Sequence, residues 1–199
     1  LTQATRREKP TLGVMSSLPV LGLEMPAYMM GNNRNASMPR WALFKELDED
    51  YNLVEVTPGA DSIPTNVQTL VVVHPKNLEE KTLYALDQFV LRGGRLFAFL
   101  DPRSLVDMQQ MGGRFMPGMS FESDMNRLTG AWGITFESRK LVADQKARSI
   151  ASGMPISKLE ESLVFLELGP ERLNAEDVVT ANLASMQLPY AGCFSGEPV

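Results

Sequence analysis

The stretch "TLVVVHPKNLEEKTLYALDQFVLRGGRLFAFLDP", residues 69–102, constrains the fold more than any other part of the chain. Its first run, Thr69 to Val73, is apolar at successive positions, the pattern of a strand buried on both faces. Asn77 stands where a helix cap belongs, and Glu79 and Glu80 sit beside the positive end that would follow. Leu83, Leu86, Phe89 and Val90 recur at helical spacing on one face. Arg92 closes the last turn, and Gly93 can take the left-handed conformation that stops a helix. "RLFAFLDP" (95–102) is then another strand. Strand, helix and strand in this rhythm make a right-handed crossover within a parallel sheet.

The rest of the chain extends that pattern. "TLGVMSS" (11–17) reads as a buried strand, and "YNLVEVTP" (51–58) as a strand nearer an edge. Between them Ser37 caps a helix over 39–49, with Pro39 in its first turn and Trp41, Phe44 and Leu47 as its apolar stripe. A helix from Phe121 to Trp132 and a strand "KLVADQ" (140–145) complete a five-stranded pattern, in which 11–17, 69–74 and 95–101 are the central strands. The expected architecture is α/β: a doubly wound, mostly parallel sheet with flanking helices. Residues 1–10 are expected to be a linker and 11–147 the α/β domain. Residues 148–199 read as a C-terminal extension or the start of a second lobe, with a strand at 162–170 and a short helix in "NAEDVVTANLAS". The chain begins at Leu1 and ends at "FSGEPV", and is read as part of a longer protein.

Composition excludes several function classes. The formal charge of −5 opposes a nucleic-acid partner, because phosphate binding needs a basic face. Cys193 is the only cysteine, which removes internal disulfides and cysteine-based zinc sites. No run of about 18 apolar residues crosses a membrane within the sequence.

Ligands of parallel sheets bind outside the carboxyl ends of the strands. The residues expected there are Ser16, Ser17, His74, Asp101, Arg103 and Asp144, of which Ser17, His74, Asp101 and Arg103 form the candidate ligand-binding set. Each also has a plain structural use as a turn residue, a buried hydrogen-bonded imidazole or a solvated charge. There is no G-x-S-x-G or G-x-C-x-G elbow, no G-x-G-x-x-G, and no Walker lysine. Neither a catalytic residue, a metal site nor a cofactor is therefore expected. Met25, Met29, Met30 and Met38 follow the first strand, and Met108, Met111, Met116 and Met119 follow "FLDP". Thioethers pack adaptably, so Met29, Met30, Met111 and Met116 are expected at a partner contact.

Four segments carry a family resemblance: "TLGVMSSLPVLG", "PRWALFKELDEDYNLVEV", "IPTNVQTLVVVHPKNLEEKTLYALDQFVLRGGRLFAFLDP" and "RLTGAWGITFESRKLVAD". Together they resemble the gliding-motility-type auxiliary proteins of ABC transporters, over about residues 10–190. The resemblance implies an extracytoplasmic (periplasmic) domain, anchored to the bacterial inner membrane by segments outside this sequence. It also implies permease and ATPase subunits of an export or gliding-type ABC system as partners. The fold it implies is flavodoxin-like, related to the class I glutamine-amidotransferase-like group, whose cysteine elbow this sequence lacks. The function expected is that of a non-enzymatic accessory domain acting through protein contacts. The alternatives are a small-molecule-binding module at the carboxyl edge of the sheet and a hydrolase or transferase on the same scaffold.

Overall fold

The computed structural model describes residues 8–23, 38–110, 118–150 and 161–198. These belong to two compact units, Leu1–Leu100 and Asp101–Val199.

The first unit contains β1 (Thr11–Ser16), α1 (Ala42–Asp50), β2 (Asn52–Glu55), β3 (Thr69–Val73), α2 (Glu80–Leu91) and β4 (Arg95–Phe99). The four strands form one parallel sheet in the order β2-β1-β3-β4. Leu12, Val14, Met15, Leu70 and Val72 are buried, as continuous apolar runs in a covered sheet must be. Gly13 lies opposite Leu70 in the β1–β3 register. A Cβ there would stand 2.8 Å from Leu70 Cδ1 and 2.9 Å from Val67 Cγ1, so the packing requires glycine.

Phe44 of α1 and Leu86 and Phe89 of α2 are fully buried, which anchors both helices by the stripes their sequences present. Helix α2 ends in a Schellman motif. Gly93, at φ 90°, donates to Val90 O (2.9 Å), and Gly94 donates to Phe89 O (2.9 Å).

Several boundaries depart from the sequence reading. Helix α1 starts at Ala42 instead of residue 39, because Trp41 is extended (ψ 147°) and donates its N–H to Val20 O at 3.0 Å. Ser37, expected to cap it, lies outside the described residues. Asn77 does not cap α2. It takes φ 51°, a left-handed conformation that asparagine tolerates, and Glu79 becomes the N-cap residue. Strand β4, expected at the centre, is an edge strand among the described residues, with Phe97 61% and Phe99 51% exposed.

The second unit holds α3 (Leu105–Gln110), α4 (Asn126–Thr129), β5 (Ile134–Phe136), β6 (Arg148–Ile150), β7 (Glu161–Leu168), β8 (Met186–Pro189) and β9 (Phe194–Gly196). Its strands pair antiparallel, as β5-β9 and as β6-β7-β8. The strand expected at 140–145 does not form, so the parallel sheet has four described strands and not five. In that segment Asp144 Oδ1 accepts from Lys146 N (2.7 Å) and Oδ2 pairs with Arg172 (2.7 Å). A short acid bonding its own backbone turns the chain in place of a ladder.

The helix expected over 121–132 shrinks to α4. Ser123 N donates instead to Asp101 O (2.8 Å), and the Asn126 side chain exchanges two hydrogen bonds with the Phe136 backbone, at 2.9 and 2.8 Å. "NAEDVVTANLAS" forms turns. Asn174 Oδ1 accepts from Glu176 N (3.0 Å) and Asp177 Oδ1 from Val179 N (2.8 Å), a local alternative to the helical ladder. The loop expected after "FLDP" contains α3. Ser104 Oγ accepts from Asp107 N (3.3 Å) at its start, the capping signal S-x-x-D that the sequence carries.

Candidate functional site

The order β2-β1-β3-β4 reverses direction between β1 and β3, which makes the carboxyl ends of those two strands the switch point where parallel sheets open a crevice. Ser16 and Ser17 end one strand and His74 follows the other. Ser16 Oγ donates to Val73 O at 2.9 Å and accepts from Leu18 N at 3.0 Å. Ser17 Oγ donates to the carbonyl oxygen of His74. The two serines therefore tie strand end to strand end through backbone carbonyls.

His74 is fully buried and left-handed, at φ 48°. Its N–H donates to Phe99 O at 3.0 Å, extending the β3–β4 ladder by one bond past Val73. The hydrogen bond that brings Ser17 and His74 together runs from hydroxyl to main chain. A nucleophilic pair would need that proton directed at the imidazole.

Asp101 and Arg103 belong to the second unit. The Asp101 main chain is held on both sides by Ser123, whose Oγ accepts from Asp101 N (2.8 Å) and whose N–H donates to Asp101 O (2.8 Å). Arg103 donates from Nε to Met108 Sδ (3.4 Å), and its guanidinium lies 5.5 Å from the centre of the Tyr190 ring. That arrangement is a cation–π contact on an exposed side chain. Asp144, also read as an edge residue, faces Arg172, which with the Lys146 amide holds its carboxyl below the usual aspartate range. Met29, Met30, Met111 and Met116 lie outside the described residues. Of the remaining loop methionines, Met38 is exposed and its backbone pairs with that of Leu23.

One cavity, of about 300 Å³, opens at the opposite, amino end of β3 and β4. Thr65, Gln68, Arg92, Gly93, Gly94 and Arg95 line it. It escaped the sequence reading because its wall joins a loop, a helix stop and a strand start, none of which carries a motif. Arg92 is already engaged, donating to Ile63 O (2.9 Å) and Pro64 O (3.2 Å). Among the described residues no cluster of three or more His, Cys, Asp or Glu side chains is arranged to hold a metal ion. No described helix is long and apolar enough to cross a membrane.

The family model of an ABC-type uncharacterized transport system matches residues 9–197, nearly the whole chain. The chain belongs to that family. It is thereby an auxiliary component of an ABC-type transport system, and the matched range covers most of both compact units. No curated protein and no solved structure matches this ABC-system component.

Proposed function

We propose that this chain is a non-catalytic, extracytoplasmic accessory domain of an export or gliding-type ABC transporter, working by contact with the permease and ATPase subunits. The observation that carries the reading is the family match over residues 9–197. The switch point supports it. Where a binding or catalytic sheet keeps a crevice, Ser16 and Ser17 donate to the carbonyls of Val73 and His74. Both described serine hydroxyls there are spent on main-chain carbonyls, which is not how an activated nucleophile is held.

Co-purification from detergent-solubilised membranes tests the partner. The tagged full-length protein is expected to retain the permease and ATPase, and recovery of neither would overturn the reading. Replacing Met29, Met30, Met111 and Met116 with Ser is expected to reduce recovery without lowering the melting temperature of the chain. Location has a separate test. Alkaline phosphatase fused after the chain should be active if the domain lies outside the cytoplasm, and an inactive fusion would place it inside.

A further inference from the structure

The residues lining the cavity at the amino end of β3 and β4 all belong to the first unit. They come from the loop that enters β3 and the turn that enters β4. A volume of about 300 Å³ is at the small end for a ligand cavity, room for a small molecule and not for a length of chain. Two arginines line it and no carboxylate does, in a chain whose formal charge is −5. Val67 supplies its only apolar side chain. The amides of Gly93, Gly94 and Arg95 already donate to Val90 O, Phe89 O and Gln68 O, so recognition of a ligand falls to the side chains.

Arg92 is held in place before any ligand arrives. Its Nη2 donates to Ile63 O (2.9 Å) and Pro64 O (3.2 Å), and its guanidinium carbon stands 5.3 Å from the centre of the buried Phe89 ring. Those bonds use one nitrogen of the three, so Nε and Nη1 keep their hydrogens for another acceptor. As the C-cap residue of α2, Arg92 also offsets the partial negative charge of that helix end. Arg95 is then a positive charge in excess. Among the described residues its guanidinium has no hydrogen-bond or ion-pair partner, and neither do the Thr65 hydroxyl and the Gln68 carboxamide. We propose that this cavity binds a small oxyanion, a phosphate or carboxylate group, with the two arginines carrying its charge and Thr65 and Gln68 meeting its remaining oxygens. The guanidinium fork offers two parallel N–H groups to either kind of anion. Because Arg92 is already ordered, binding restrains one long side chain and not two. A cation would face two like charges, and an apolar ligand would leave the polar groups of the wall without partners.

NMR titration of the nitrogen-15-labelled chain at low ionic strength, with inorganic phosphate and separately with succinate, tests the site. At least one of the two should saturate with a Kd of about 1 mM or tighter. The amides that shift should be those of residues 65–68 and 92–95, and the tighter of the two probes identifies the group. The Arg95 side chain makes no bond within the fold, so Arg95→Gln should keep the wild-type spectrum elsewhere and bind at least about tenfold more weakly. Lys45→Gln, on α1, removes the same charge outside the cavity and should leave binding unchanged. Shifts that fail to saturate with both anions, or that scatter over the chain, overturn the proposal. So does binding that Arg95→Gln leaves intact, or that Lys45→Gln weakens equally, because a general attraction between charges would respond to either loss.

Discussion

The hydroxyl of Ser17 donates to the main-chain carbonyl of His74 and so joins the ends of β1 and β3 where the order of the sheet reverses. Ser16 makes the parallel bond to Val73 O one residue earlier. A point that many parallel sheets keep open for ligand is here fastened by two short side chains, and the fastening has a measurable stability. Ser17→Ala should cost about 0.5–1.5 kcal/mol, the usual net value of one such hydrogen bond. Urea midpoints would check it, and an unchanged midpoint would mean that the bond contributes nothing.

Leu86→Ala and Phe89→Ala should each destabilise the chain by about 2–5 kcal/mol, because both side chains are fully buried beneath α2. Glu79→Ala should cost under about 1 kcal/mol. It makes no side-chain cap, and its pairing with Lys81 (3.5 Å) is solvent-exposed. Denaturant midpoints in the reverse order would contradict the packing of this helix.

Two glycines should resist substitution for different reasons. Gly93→Ala forces a Cβ into φ 90° with open space around it, a purely conformational cost of about 1–2 kcal/mol. Gly13→Ala meets Leu70 and Val67 side chains at 2.8 and 2.9 Å, and overpacking of that kind costs about 1–3 kcal/mol. A Leu70→Ala background should relieve the second variant and leave the first unchanged, which thermal melts of the two double variants would separate.

Asn126→Asp replaces the amide that donates to Phe136 O with a second acceptor and leaves the bond from Phe136 N intact. A buried or half-buried carbonyl facing a carboxylate is unfavourable, so about 1–3 kcal/mol should be lost. Amide exchange should accelerate in β5 and its partner β9 and remain slow in β1 and β3. Uniform acceleration would argue against a local role.

Asp144 should titrate below the ordinary aspartate range, first because of its hydrogen bond to Arg172 and then because of the Lys146 amide. A carboxyl with a depressed folded pKa contributes stability above its unfolded pKa and loses it as pH falls through the folded value. Arg172→Ala should therefore raise the Asp144 midpoint in a carbon-detected NMR titration and reduce the acid sensitivity of the chain. An unmoved midpoint would break the assignment.

The sequence by itself determined the parallel crossover at 69–99, the buried stripe of α2 and its glycine stop. Each of these follows from contacts within one turn or one strand, and apolar periodicity and capping chemistry record such contacts directly. The serines at the end of β1 were also legible as edge residues, because the end of an apolar run marks the end of a strand. Only the tertiary structure decided what those serines do, since their acceptors, Val73 O and His74 O, lie 57 positions along the chain. The same limit explains the second unit. "KLVADQ" and "NAEDVVTANLAS" have the composition of regular elements, but Asp144, Asn174 and Asp177 can bond their own backbone, and periodicity does not say which competitor wins. The place of β4 was decided in the same way. Its apolar run suits a centre or an edge equally, and only the long-range pairing, with β3 on one side among the described residues, decided between them.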